Sequence, residues 1–308
     1  MTVHVVLGSN GVVGRETIAA LRAGDHGVRA VSRTPSATPA PGVTHLAADL
    51  RDAASAARAL EGAEVAYLTV GLPYSTRVWR RDWPVIVQNV VDGCLAHGTH
   101  LVYFDNVYAY GRTEAPMTES TPIRPTSRKG EIRAELLRQL DAARDGRGLE
   151  VTVGRAADFY GPGATTSAFN MFAIDRAAAG KPPTWLFDST QPHSMTYTPD
   201  IGMGLAVLGT DARARGRTWH LPTAPALTGE QYLALLCGDR LAHRTMSIRM
   251  MRFGALFASA ARESLEMAYQ YTSPYRFDST AFERAFGILP TPYADGIARS
   301  IGHAAAPV

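Results

Sequence analysis

The chain opens Val3-His4-Val5-Val6-Leu7-Gly8-Ser9-Asn10-Gly11-Val12-Val13-Gly14-Arg15, an apolar strand that passes through a glycine-rich turn directly into a helix start. Gly8 lets the chain turn sharply off the strand, and Gly11 lets backbone N–H groups approach phosphate oxygens. Gly14 lets the helix that begins there pack closely on the strand. The helix N-terminus then aims unpaired N–H groups and a partial positive charge at a diphosphate. Any turn can use a glycine triplet. This one follows a strand and opens an amphipathic run with Ile18 and Leu21 on one face, so it reads as a dinucleotide site. Gly8, Ser9, Asn10, Gly11, Val12, Val13 and Gly14 are its expected cradle.

The next strand, Val28-Arg29-Ala30-Val31-Ser32-Arg33, bears on which dinucleotide binds. An acidic residue near this strand's end would hold a ribose 2′-hydroxyl. Ser32 and Arg33 stand there instead. A guanidinium beside a hydroxyl suits a 2′-phosphate, so NADP(H) is expected over NAD(H). Arg15 reads as a solvent-facing helix residue in preference to a phosphate ligand. In His45-Leu46-Ala47-Ala48-Asp49-Leu50, Asp49 can accept a bond from an adenine amino group with Leu50 packed on the ring. A plain helix N-cap, Asp49 or Asp52 ahead of Ala53, competes equally. Val70 and Gly71, closing a strand over 64–70, complete the expected cofactor set.

Other classes are poorly supported. At 308 residues and 46% apolar content the chain can bury a large core, and its longest apolar runs are strand length. No charged-then-apolar leader opens it, so a cytoplasmic protein without membrane attachment is expected. Its two cysteines, Cys94 and Cys237, are far apart and suggest neither a disulfide framework nor a zinc site. The net charge of +3 is spread along the chain, against nucleic-acid binding. His97 and His100 read as loop residues, with no metal motif, and no Gly-x-Ser-x-Gly elbow occurs.

Strand patterns over 3–7, 27–32, 43–46, 64–70, 100–106 and 150–155 alternate with helical patterns near 12–23, 53–60, 83–97 and 128–145. That rhythm predicts an α/β fold, a doubly wound parallel sheet of Rossmann type. After Tyr160-Gly161-Pro162-Gly163 the rhythm changes to a helix near 166–178, a short strand near 184–187, and mostly helical sequence from Gly229. The expected division is a dinucleotide-binding domain over 1–160, rejoined by 196–222, and a smaller, mainly helical substrate lobe from 161–195 and 223–308. Met250, Met251, Phe253, Phe257 and Met267 read first as core, some of them lining a pocket.

Further matches span nearly the whole chain: Asp105-Asn106-Val107-Tyr108-Ala109-Tyr110-Gly111, Thr118-Glu119-Ser120-Thr121-Pro122, Arg155-Ala156-Ala157-Asp158-Phe159-Tyr160-Gly161-Pro162, Met195-Thr196-Tyr197-Thr198-Pro199-Asp200, and Asp278-Ser279-Thr280 with Phe286-Gly287. With the glycine turn, they resemble the extended short-chain dehydrogenase/reductases of the NAD-dependent epimerase/dehydratase type. The resemblance implies a Ser or Thr holding a substrate oxygen, a Tyr as acid or base, and a Lys four residues later. Here Asn106 falls on the serine position. Tyr-Gly-x-x-Lys becomes Lys129-Gly130-Glu131-Ile132-Arg133, or, in a second register, Lys129 is the lysine and Pro125 replaces the tyrosine. Either way the tyrosine is missing.

If the strand continues past Asn106, then Asn106, Tyr108 and Tyr110 project to one side. Asn106 can donate an amide N–H to a carbonyl oxygen, and Tyr108 can supply a proton. Lys129, if buried near the cofactor, can lower that phenol's pKa, while Arg133 can hold ribose hydroxyls. Against this, Tyr108 and Tyr110 can simply pack, and Lys129 and Arg133 can form a solvated face beside Glu131 and Glu135. Three functions follow. The first is NADPH-dependent reduction of a small, mostly apolar carbonyl or enone. The second is nucleotide-sugar epimerisation or dehydration, with Asn170 and Arg176 on a diphosphate. The third is a dinucleotide-sensing binding protein without turnover. The only other partner the resemblance implies is a second copy of the chain, pairing through the helices near 83–97 and 128–145.

Overall fold

The computed structural model describes residues 3–34, 41–237 and 244–305. Strands β1 (Val3–Leu7), β2 (Gly27–Ser32), β3 (Val43–Ala47), β4 (Val65–Leu68), β5 (His100–Asn106), β6 (Val151–Ala156) and β7 (Thr218–His220) form one sheet. Its order is β7-β6-β5-β4-β1-β2-β3, parallel throughout. The expected doubly wound sheet is therefore present. β4 is buried at every position, as a strand covered on both faces must be.

Helices α2 (Ala53–Leu60), α3 (Thr76–His97) and α4 (Arg128–Arg147) cover one face, and α1 (Val12–Ala23) and α5 (Thr198–Thr210) the other. Local chemistry sets their ends. Asp52 caps α2 by accepting from the Ser55 N–H at 2.7 Å, so the cap is Asp52 and Asp49 is left for other work. Ser127 caps α4 through the Gly130 N–H, and Gly148 ends it in the left-handed region at φ 75°.

α3 starts earlier than the sequence pattern suggests, and Pro84 lies inside it. An interior proline costs about 3 kcal/mol. Trp79 and Trp83, at 5% and 2% exposure, are buried by that first stretch of helix. At ~25 cal/mol per Å² over roughly 150–250 Å² each, the two indoles contribute roughly 4–6 kcal/mol apiece. Packing therefore overrides the local break. His97 and His100 are not loop residues: one ends α3, the other opens β5 with its Nε2 2.9 Å from Thr152 Oγ1.

Beyond Ala156 the chain builds a second layer over the sheet's carboxyl edge. Asp158–Tyr160 pairs in parallel with Met195–Tyr197, and Thr184–Leu186 with Arg244–Met246. Its core is aromatic, centred on Tyr160, Phe169, Trp185, Tyr232 and Tyr293.

The strand order reverses at β1, whose neighbours are β2 and β4, so the crossovers diverge and leave a crevice outside the strand ends. Gly8 turns there at φ 96°, and a Cβ on it would sit 2.7 Å from Val70 Cα. A Cβ on Gly14 would sit 2.4 Å from the Gly8 carbonyl oxygen, so α1 touches the turn through backbone alone. Gly14→Ala should destabilise the protein by about 1–3 kcal/mol. Urea unfolding will show this as a lower midpoint at unchanged slope, and an unchanged midpoint would refute the close approach.

Candidate active site

A cavity of about 1420 Å³ runs along the crevice, from the Gly8 turn to the second layer. Gly8, Asn10, Gly11, Val12, Val13, Ser32, Arg33, Asp49, Leu50, Val70 and Gly71 all line it. Ser9 and Gly14 do not. The Ser9 N–H is bound to the Val31 carbonyl and its hydroxyl is buried without a partner, while Gly14 lies behind the turn. No side chain caps α1, so its first N–H groups face the cavity free of protein acceptors. An uncapped helix end above a turn with no room for a Cβ at Gly8 fits a dinucleotide pyrophosphate.

The end of β2 is basic. Arg33 lines the cavity and makes no hydrogen bond to another described residue, whereas the Ser32 hydroxyl donates to the Thr34 carbonyl at 2.7 Å. Asp49 is held by Arg51 at 2.6 Å, and the Arg51 hydrogen bond pulls its pKa down to about 2. It stays at the cavity lining beside Leu50, where an adenine amino group is expected to donate to it, with its charge shared with Arg51. Arg15 donates to the Asn10 carbonyl and braces the turn.

The strand does not continue past Asn106. Its side-chain oxygen accepts from the Tyr108 N–H at 3.0 Å and starts a 3₁₀ turn over Val107–Tyr110. Asn106 and Tyr108 still line the cavity, but Tyr110 is turned inward. Its hydroxyl accepts from Arg155 at 2.5 Å and donates to His220 Nε2 at 2.8 Å. No described residue takes a bond from Asn106 Nδ2. Tyr108 stacks on Trp79. Burial, then the charges around Tyr74 and Asp158, hold its phenol well above the ordinary range. The expected lowering by Lys129 does not occur.

Lys129 and Arg133 part company. Arg133 lines the cavity, donates to the Tyr103 hydroxyl at 2.8 Å, lies over the Trp79 and Trp83 rings, and keeps an unpartnered Nε. Lys129 is fully buried away from the cavity lining, bound to Glu263 at 2.5 Å and Glu266 at 2.6 Å. It clamps the start of α4 to the helix Ser259–Leu265 and is neither a cofactor ligand nor a solvated side chain. Of the diphosphate candidates, Asn170 closes both its amide groups on Gly161, and Arg176 donates to the Pro182 carbonyl. Asp158, Gln270 and Tyr271 line the cavity without having been singled out. Asp158 lies inside a motif quoted above, but its exposure depends on residues more than 30 positions away. Among the described residues no group of acidic, His and Cys side chains can hold a metal, and no helix is long and apolar enough to cross a membrane.

A family model described as the NAD dependent epimerase/dehydratase family matches residues 4–219. A 3beta-hydroxysteroid-dehydrogenase/decarboxylase isoform 2 from Arabidopsis thaliana is 24% identical over 298 residues, 84% of this chain and 51% of the relative. The chain thus spans about half that relative's length. A UDP-glucose 4-epimerase from Thermus thermophilus, solved with NAD, superposes at TM-score 0.78 with 17% identity over 100% of both chains. A dTDP-glucose 4,6-dehydratase from Streptomyces venezuelae, also with NAD, gives 0.77 and 20% over 98% of this chain and 96% of that one. At these identities the solved structures establish a shared fold.

The clamp has a pH signature. Burial alone would raise the Glu263 pKa, but hydrogen bonds from Lys129 and Thr76 outweigh it and leave it below the ordinary range. Its stabilisation is therefore complete above the ordinary carboxylate pKa and lost as pH falls through the lowered value. Lys129→Met should remove it at neutral pH, costing up to about 3–5 kcal/mol. Hydrogen exchange should then show lost protection over 261–272 while β1–β6 stay protected. Unchanged protection there would refute the clamp.

Proposed function

The chain belongs to the NAD dependent epimerase/dehydratase family, and on that premise we propose that it is an NAD(P)-dependent oxidoreductase acting at a carbonyl or hydroxyl carbon. The observation that carries this is a single cavity joining the uncapped α1 turn to Asn106, Tyr108 and Arg133. Bound in that turn, the dinucleotide supplies or accepts a hydride. Asn106 Nδ2 donates to the substrate oxygen, and the neutral Tyr108 phenol stands beside it as a second donor. Arg133, which shares the single Asp105 carboxylate with Arg155, leaves net positive charge behind that oxygen.

Two substrate classes follow from different observations. The far wall of the cavity is largely apolar, including Phe159, Phe172, Phe187, Met246 and Met251, and supports a mostly apolar ketone, enone or secondary alcohol. The names of the solved relatives favour a nucleotide sugar, oxidised and reduced again during epimerisation or dehydration. The engagement of Asn170 and Arg176 within the protein supports the apolar class. A panel of aryl and alkyl ketones, followed by loss of NADPH absorbance, should show turnover, with no heat of binding for UDP-glucose or dTDP-glucose. Binding of either sugar nucleotide without ketone turnover would select the second class. NADPH that binds but is never oxidised would leave a sensing protein.

For the cofactor, Arg33 at the end of β2 supports a 2′-phosphate, although the solved relatives named above hold NAD. Losing its charge-assisted bonds is worth about 1.5–3 kcal/mol, or roughly 10–150-fold in Kd. Arg33→Ala should weaken NADPH by that factor in equilibrium titration and leave NADH unchanged. Equal binding of both dinucleotides before and after the substitution would assign NAD.

A further inference from the structure

His193 is 1% exposed, and its ring is sandwiched between Tyr271 and Tyr275 with centroids 4.3 and 4.4 Å away. Both its nitrogens face oxygen. Nδ1 lies 3.0 Å from the Gln270 carbonyl, and Nε2 lies 3.2 Å from Asp158 Oδ2. A carbonyl can only accept, so Nδ1 carries a hydrogen. A neutral ring would then aim its Nε2 lone pair at a carboxylate. His220 makes the contrast: its Nδ1 also donates to a carbonyl, that of Asp278, but its Nε2 meets the Tyr110 hydroxyl, which can donate. His220 is satisfied as a neutral ring. His193 and Asp158 are satisfied only if they share one more proton.

That proton is within reach of the cavity. The Asp158 side chain is 22% exposed and lines the cavity, while His193 is sealed behind it. The Tyr271 hydroxyl donates to the same Asp158 oxygen at 3.3 Å, and the Asp158 N–H to the Tyr275 hydroxyl at 3.1 Å, which fixes the carboxyl group. Gln270 also lines the cavity, 2% exposed, with its Nε2 lacking a partner. Its main-chain carbonyl holds His193 Nδ1, so the residue ties the histidine to the cavity wall.

From this geometry we infer that Asp158 is the catalytic acid–base of the site, with His193 as the buried residue that stores its proton. The inference rests on the oxidoreductase reading and supplies the proton that the missing tyrosine would have handled. In reduction, the carbonyl carbon gains a hydride from the reduced nicotinamide and its oxygen gains the shared proton through Asp158. The pair is left as carboxylate and neutral imidazole, and solvent restores the proton. Oxidation of an alcohol runs the same transfers backwards. The other groups facing Asp158 are Tyr74 from the β4–α3 loop, Tyr108 from the 3₁₀ turn, Tyr269 and Tyr271 from the helix Tyr269–Thr272, and Tyr275. All five phenols are held above the ordinary range, so they stay neutral beside the pair. Lys129 lies over the Tyr74 ring but is neutralised by Glu263 and Glu266.

Two measurements separate this inference from the reading beneath it. Nitrogen-15 NMR of the ligand-free protein, with His193 assigned by its loss in His193→Gln, should show Nδ1 protonated and Nε2 bonded to the proton it shares with Asp158. Asp158→Asn should convert His193 to the neutral Nδ1–H form, because an amide N–H can donate to Nε2. An Nε2 that neither carries a proton nor accepts one from Asp158 in the unsubstituted protein would overturn the inference whatever the substrate. Steady-state kinetics with NADPH and the best ketone from the panel should then show kcat down 10²–10⁴-fold in Asp158→Asn. KM and NADPH affinity should hold, and the limb on which reduction slows with rising pH should disappear. Unchanged kcat or pH profile would overturn the inference and leave the oxidoreductase reading standing. Failure of both NADPH and NADH to bind would overturn that reading, with the NMR result unaffected.

Discussion

One buried carboxylate organises the end of the sheet. Asp105, 1% exposed near the end of β5, meets Arg155 on β6 at 3.0 Å and Arg133 on α4 at 3.8 Å. A carboxylate so placed has no water shell, and it is tolerable only because two guanidiniums surround it. Their directions fix much else. Arg155 pulls Tyr110 inward and, through it, His220 on β7, while Arg133 is held against Tyr103 and two indoles at the cavity wall. The 3₁₀ turn after Asn106 is the backbone's accommodation of that arrangement. Removing the carboxylate would leave two buried cations unpaired, one of them at the cavity wall.

The second layer is attached by chemistry of the same kind. Lys129 reaches from α4 to two glutamates on the opposite wall, and the adjoining segment brings Gln270 and Tyr271 to the cavity. In the register that aligns Lys129-Gly130-Glu131-Ile132-Arg133 with the family's tyrosine motif, the first position has become a structural tie. The last keeps a place at the cavity. The resemblance thus carries the frame, and the chemistry is argued from the residues at the cavity themselves.

Much of the frame is legible in the sequence. The glycine turn, the strand–helix rhythm and the basic end of β2 are local in sequence, because a close backbone approach demands glycine and a covered strand demands apolar runs. The start of α3 was not legible, because Pro84 argues for a break and only the burial of Trp79 and Trp83 argues against it. The co-facial trio failed for a related reason. Alternation holds only while a strand lasts, and Asn106 ends it by capping the next turn. Lys129 was misjudged in both directions because its partners are more than 130 positions away.

The sequence by itself determined the class of fold, the glycine turn into α1 and the basic end of β2. Each follows from residues adjacent in the chain, where propensity, pattern and turn chemistry act. The tertiary structure alone decided which polar groups meet. Asp158 and His193 are 35 residues apart, and Gln270 a further 77, yet they converge on one wall. Proton positions depend on such encounters, because whether a nitrogen needs a hydrogen is settled by the atom opposite it.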